Sequence, residues 1–402
     1  MFEGIVREHL QAAGIEVGGD RPWDLQIHDD RFYRRVLLFG SLGLGDSYVD
    51  GWWDCDDLEG LVTRLLRHRL EHRAGLRLAS VVSGLAGLAV NLQSRARAKI
   101  VAREHYDLPA GFYMSFLDPY NQYTCAWFEG TDDLEEAQEA KLRLICRKLE
   151  LEEDDHVLDI GCGWGGFAHF ASERIGCRVT GVTISEEQAA YARELNEGLP
   201  VEIVERDYRD LEGEYDKVLV CGMIEHVGYK NYRKLFQVAR RCLEPGGLFL
   251  LHTIGGNESV RSIDPWIHRH IFPNAQLPSI SQLGEASEGL MVMEDWHNFG
   301  PHYAPTLRAW FRRFDRAWPR LSEDYDETTY RTWKYYFLSC AASFEVRKNQ
   351  LWQIVFSPEG VPGGYVAPRS ATAETETTPV SSPGRTPEEI PQPARSSFSR
   401  SS

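Results

Sequence analysis

The stretch VLDIGCGWGG, residues Val157–Gly166, decides the fold. A run of buried type, His156–Ile160, ends at once in Gly161, Gly163 and Gly166, where a helix begins. Glycines at that junction permit a tight turn and a close backbone approach to a ligand. Downstream, Arg178–Thr183, Val201–Glu205, Lys217–Cys221 and Leu248–His252 read as further strands. Helices are expected over Thr131–Leu149, with Thr131 or Asp132 as N-cap, and over Ser185–Glu197. Ser185 and Gln188 stand at capping-box spacing, and Gly198 lies just past the end of the second helix. Strands alternating with helices predict a parallel α/β sheet over residues 105–256. The glycines formally fit G-x-G-x-x-G, but a dinucleotide site wants an acid about 20 residues on, at the end of the second strand. Val182-Thr183-Ile184-Ser185 stands there instead. An acid, Asp159, precedes the first glycine, where it would repel a pyrophosphate.

Working outward, residues 1–104 carry helical patterning, broken by a Gly-rich aromatic stretch at Phe39–Asp54. A third block, 257–365, is dense in Trp and Tyr, expected to be mostly core with some rings lining a pocket. Ala367–Ser402 holds 6 Pro, 8 Ser and 5 Thr, too little apolar surface to offset the entropy of ordering, so a disordered tail is expected. Three parts follow: an N-terminal helical part (1–104), an α/β part (105–365, with an aromatic insertion at 257–350) and the tail (366–402). The 402 residues are 43% hydrophobic and 26% charged, which excludes a wholly disordered chain and a polytopic membrane protein. The most apolar stretch, Leu78–Leu92, is too short to span a bilayer.

The net charge of −16 disfavours nucleic acid, but the charge is segregated. Between Leu61 and Arg103 nine basic residues face one acid, Glu71, which suits an anionic membrane surface. The eight cysteines show neither paired spacing nor a zinc pattern, and no apolar leader opens the chain, so reduced thiols in a cytoplasm are expected and no metal.

Asp159 suits a cationic ligand, and S-adenosylmethionine carries a sulfonium and an ammonium. The D-x-G-x-G arrangement after a first strand resembles that of class I methyltransferases, with a Rossmann-like sheet. Further blocks narrow the resemblance: SYVDGWWD near the N-terminus, HYDLPAGFYMSFLD (His105–Asp118), QYTCAWF (Gln122–Phe128), VTISEEQ (Val182–Gln188), MIEHVG (Met223–Gly228), LHTIG (Leu251–Gly255), NFGPHYAPTLRAW (Asn298–Trp310) and LWQIVFS (Leu351–Ser357). Together these are similar to the cyclopropane-fatty-acyl-phospholipid synthases and the related mycolic acid methyltransferases. The resemblance runs from about residue 20 to 365.

The resemblance implies methylene transfer from S-adenosylmethionine to the cis double bond of an unsaturated phospholipid acyl chain at a membrane surface. Cofactor contacts would fall on Tyr123, Thr124, Asp159, Gly161, Cys162, Gly163, Trp164, Thr183, Ile184, Ser185, Gln188, Asp207 and Tyr208. A bicarbonate ion near the transferred methyl would be held by Cys125, Glu225, His252, the Ile254 backbone and Tyr303. Cys340 matches a cysteine considered catalytic in this family.

Physically, an alkene is a weak nucleophile, so the donor must be held in line in a dry site. Aromatic faces such as Tyr303 stabilise the carbocation that follows, and a base must then remove a proton so that the ring closes. His252 and Tyr303 can donate to an anion, whereas an ionised Glu225 only accepts, which assigns it to orientation and proton relay. Pro109-Ala110-Gly111 departs from the family pattern and puts lid geometry in question. A methyl-branching outcome, a small-amine N-methyltransferase and a lipid-binding protein without activity stand as rival readings. A homodimer is left open.

Overall fold

The computed structural model describes residues 2–68 and 108–372. Most of the basic Leu61–Arg103 segment, the boundary near residue 104 and residues 373–402 therefore lie outside the described residues.

The α/β part is a seven-stranded sheet among the described residues. Its strands are β3 (His156–Ile160), β4 (Arg178–Thr183), β5 (Val201–Glu205), β6 (Tyr215–Cys221), β7 (Leu243–Gly256), β8 (Val292–Asn298) and β9 (Asn349–Ser357), in the order β5-β4-β3-β6-β7-β9-β8. From β5 to β7 neighbours run parallel, with Asp159 opposite Gly181 and Cys221 opposite His252. Buried on both faces, β3 and β4 are near-continuous buried runs, whereas the edge strand β5 exposes Glu202 and Glu205. The sheet is mixed rather than all-parallel: β9, from the end of the third block, inserts antiparallel between β7 and β8.

Local chemistry corrects two expectations. Helix α5 (Leu134–Lys148) is capped by Asp133, not Thr131 or Asp132. The Asp133 carboxylate accepts from the Glu135 and Glu136 amides, while the Thr131 hydroxyl accepts from the Asp133 amide. At α7 (Glu186–Leu195), Ser185 caps as expected, but no capping box closes, because the Gln188 carbonyl oxygen accepts from the Thr183 hydroxyl at 3.0 Å. The Gly-rich stretch breaks the helix at Gly40, whose φ of 57° and ψ of −128° are not helical, so that α2 (Arg31–Val49) is two helical pieces joined at a kink, and Gly51 (φ 72°) turns the chain beyond it. Between these two the chain is helical, and a Cβ on Gly45 would stand 2.3 Å from Trp266. Gly43 and Gly45 are contact points, whereas Gly40 and Gly51 turn the chain.

Helices α1 (Phe2–Ala12), α2 and α3 (Leu58–Arg67) share one core with α11 (Tyr303–Leu321) and α12 (Glu327–Glu345). Arg331 on α12 donates to the carbonyls of Tyr48 and Trp53, and Arg308 on α11 pairs with Glu59. Beyond β9 the chain is pinned as far as Thr372, which corrects the start of the expected tail. Arg369 pairs with Asp295, and the Ala371 amide donates to Glu129 at 2.7 Å. A composition window blurs such a boundary, since these ties are single polar contacts.

Candidate active site

Asp159, next to last in β3, has only 2% of its surface exposed, and burial pushes its carboxyl up to about 7, against the pull of Lys141. The next residues make the turn. Gly161 and Gly163 have φ of 86° and 54°, the left-handed region open to glycine. A Cβ on Gly161 would press on Met223 and one on Gly166 on the Tyr120 carbonyl, whereas Gly163 faces open space. The Gly161 and Cys162 amides are taken by the Val182 carbonyl, which welds this turn to the end of β4. Trp164 is buried between Tyr113 and Tyr191. Thr183, Ile184, Ser185 and Gln188 follow β4, and Asp207 and Tyr208 follow β5. The Asp207 carboxylate accepts from the Arg209 amide at 3.0 Å. These cofactor positions thus gather at the carboxyl ends of adjacent parallel strands, where α/β sheets bind ligands. A buried acid beside an open, left-handed glycine fits a cationic nucleoside such as S-adenosylmethionine.

The second half surrounds a cavity of about 1170 Å³. Tyr123, Thr124, Glu225, His252, Ile254, Tyr303 and Cys340 line it, and it reaches α1 and α2 at Val6, Leu10, Phe32 and Phe39. His252 ends the parallel run of β7, its carbonyl accepting from the Gly222 amide. The Gln353 amide donates to His252 Nδ1 at 3.3 Å, which leaves Nε2 as the protonated nitrogen, buried and without a partner. Burial, reinforced by Lys141 and Lys148, holds this imidazole neutral, well below the ordinary histidine range.

Glu225 sits on a short 3-10 turn after β6. Burial pushes its carboxyl up to about 7. One oxygen accepts from the Ile254 amide at 2.8 Å, and the other, Oε2, is buried without a partner. The Ile254 amide expected for the anion is thus engaged by Glu225. Two orphaned buried polar atoms, a histidine N–H and a carboxyl oxygen that is partly protonated near neutrality, fit a small anion such as bicarbonate. Tyr303 packs on Phe344 at 4.5 Å between ring centres, and burial keeps its hydroxyl protonated. Cys125 stands behind the cavity wall, its thiol against Thr306. Cys340 lines the wall, and burial pushes its thiol up to about 12, so it is a thiol and not a thiolate at neutral pH.

Sequence reasoning passed over a support layer. Lys141, fully buried on α5, donates to Gln122 Oε1 and to Thr124 Oγ1. Two turns on, Lys148 is also fully buried and meets His297 at 3.0 Å. Gln353 lies between His252 on β7 and His297 on β8 in the strand register. The signal available was the seven-residue lysine spacing, which puts both side chains on one helix face, the face α5 turns to the sheet.

The profile of the family described as mycolic acid cyclopropane synthetase matches residues 93–354. The cyclopropane-fatty-acyl-phospholipid synthase of Escherichia coli strain K12 is 48% identical over 360 residues, covering 90% of this chain and 94% of that one. A tuberculostearic acid methyltransferase of Mycobacterium tuberculosis is 32% identical over 365 residues, covering 85% of each. Among solved structures, the mycolic acid cyclopropane synthase CmaA1 complexed with SAH and CTAB superposes with a TM-score of 0.60 at 29% identity, over 64% of this chain and 97% of that one.

Proposed function

Because the chain belongs to the mycolic acid cyclopropane synthetase family and is a methyltransferase dependent on S-adenosylmethionine, we propose that it adds a methylene to the cis double bond of an unsaturated phospholipid acyl chain. The cofactor's methyl and the alkene then yield a cyclopropane, S-adenosylhomocysteine and one proton. The observation that carries this reading is the cavity of about 1170 Å³, which runs from Glu225 and His252 to the N-terminal helices. It suits a long chain and is oversized for a small amine.

S-adenosylmethionine supplies an electrophilic methyl, and bicarbonate held by Glu225 and His252 would supply a base without a charged side chain entering the acyl path. Asp159 binds the cationic donor, whose charge would draw its carboxyl to the ionised form. Gly163 leaves room for it and Trp164 walls it in. Tyr303, Phe344 and Tyr336 line the cavity with aromatic rings, whose π faces favour a cationic centre and exclude water. The neutral His252 offers Nε2–H to the anion, while Glu225, close to half-protonated at neutral pH, orients it and accepts or returns a proton. Cys340 shapes the wall.

Membrane-surface association belongs to the same proposal. Leu38 and Phe39 on α2 are 41% and 48% exposed, and Phe39 also lines the cavity, so a lipid tail entering there would leave a bilayer beside apolar side chains. Among the described residues no helix is long and apolar enough to cross a membrane.

Mass spectrometry tests the reaction, using purified protein, S-adenosylmethionine and vesicles bearing cis-monounsaturated chains. A gain of one methylene with loss of the reducible double bond is expected. The same gain with the double bond kept, or with full saturation, points to methyl branching. No gain in any lipid while cofactor binds overturns the lipid reading.

A further inference from the structure

Among the described residues four that are not glycine hold φ in the left-handed region, which disfavours long side chains. Asn121 and Asn274 tolerate it better than most; Glu150 and Arg347 each stand just past a helix. At the end of α12 the Arg347 amide donates to the Phe344 carbonyl and the Lys348 amide to the Ser343 carbonyl, both at 3.0 Å. In this paired closure glycine is the usual residue at the position Arg347 holds. Glycine would end the helix with less strain, so the helix end alone does not call for an arginine. Glu150 is exposed and does not line the cavity, whereas Arg347 does. The Arg347 side chain is held as firmly as its backbone. Gln350, 4% exposed, accepts on Oε1 from Arg347 Nε at 3.1 Å and from Nη2, and its amide donates to the Arg347 carbonyl at 2.8 Å. Asn298 donates to the same Gln350 oxygen, and Asn257 donates to the Arg347 and Lys348 carbonyls.

These partners are neutral amides, and Glu258, an acid on the same cavity lining, is not among them. A guanidinium is charged at every ordinary pH and forks onto a phosphate. Register gives its reach. Asn349 stands opposite Gly256 and Gln353 opposite His252, so the strands run roughly 13 Å from the Arg347 turn to the reaction centre, at about 3.3 Å per residue. A phospholipid has the same order, with phosphate at one end, glycerol and the first part of the chain between, and the double bond in mid-chain. We propose that Arg347 binds the phosphodiester of the lipid, its Nη1 side turned to the ligand, while the acyl chain runs alongside β7 and β9 to Glu225 and His252. The inference rests on the reading that an acyl chain fills the cavity, and it makes the substrate a phosphate-bearing lipid rather than a neutral glyceride. A fork fixed in advance loses less freedom on binding than a loose one, which is what the strain at φ 60° secures.

The test compares turnover by the full chain on two substrates with the same cis-monounsaturated chains, a phosphatidylcholine and a diacylglycerol, each in nonionic detergent micelles and phosphate-free buffer. The native protein should favour the phospholipid by about tenfold or more in kcat/KM, the worth of a hydrogen bond to a charged group. Arg347→Gly should bring that ratio to within about twofold of parity. Its melting temperature should be no lower than the native one, because glycine relieves the strain. Arg347→Asn also tolerates the left-handed backbone. It should show the same collapse of preference and carries the test should the glycine variant fail to fold. Native protein without the preference, or a folded variant that keeps it, overturns the proposal. Native protein that binds S-adenosylmethionine but alkylates neither lipid overturns instead the functional reading on which it rests.

Discussion

The two halves of the sheet each carry a buried carboxyl pushed up to about 7, and they differ in what stands beside it. Asp159, in the parallel half, has the ammonium of Lys141 drawing it toward ionisation. Glu225, on the turn after β6 and against the stretch of β7 that pairs antiparallel with β9, is drawn down only by neutral donors such as the Ile254 amide and the Thr253 hydroxyl. Under the proposed function Asp159 meets a cationic ligand, whose charge adds to the pull of Lys141 and completes the ionisation, while Glu225 stays between its two forms. The same burial then serves binding in one half and proton handling in the other.

The sharpest way to break this division is Glu225→Gln. Turnover should fall by about 10²–10⁴-fold, the usual worth of a proton-transfer group, while the affinity for S-adenosylmethionine stays within about twofold. Equal losses in both would mean that the halves act as one site. The mirror experiment is Asp159→Asn, for which cofactor affinity should fall at least about tenfold, with kcat at saturating cofactor little changed. In the native protein the same affinity should decline as pH falls below about 7 and Asp159 is protonated.

A smaller effect concerns stability. Both carboxyls titrate higher folded than unfolded, so the folded state binds more protons between about pH 4 and pH 7. Their contribution is full below pH 4 and is lost as pH rises through 7. Thermal melts at alkaline pH should therefore find Asp159→Asn and Glu225→Gln a few degrees more stable than the native chain; lower melting temperatures would show that each acid is stabilised by contacts its amide cannot make. Smallest of all, Cys340→Ser should leave turnover within about threefold, since the thiol is not ionised. A loss beyond about a hundredfold would return this cysteine to the chemistry.

The parallel half was the more legible in sequence. The bounds of β3 and β4 follow from short, β-branched runs punctuated by glycine, because a strand covered on both faces has little choice of residue, and those of β5 from its alternation of valine and isoleucine with glutamate. The antiparallel half hid for the opposite reason. β8 mixes Glu294, Asp295, His297 and Asn298 into its run, and β9 buries Gln350 and Gln353, so neither shows a clean apolar period. Residues 257–350 therefore read as an aromatic insertion. Glu225 and His252 were named from resemblance alone; only the fold draws the Ile254 amide to Glu225 and Gln353 to His252. The two buried lysines of α5 were illegible because a lysine on an amphipathic helix is ordinarily solvated. Gly43 and Gly45 misled because glycine marks close contact as well as turns.

The position of β9 bears on how the chain is made. Of the described strands it is the last to leave the ribosome, yet it lies between β7 and β8. Until Asn349–Ser357 emerges, β7 presents a raw apolar edge at Phe249–Leu251, β8 has no neighbour, and His252 lacks the glutamine that fixes its proton. An unpaired edge of that kind recruits other chains. Translation that stops short of Asn349 would release a fragment with its glycine turn already built and a sticky margin beside it, prone to aggregate and without activity.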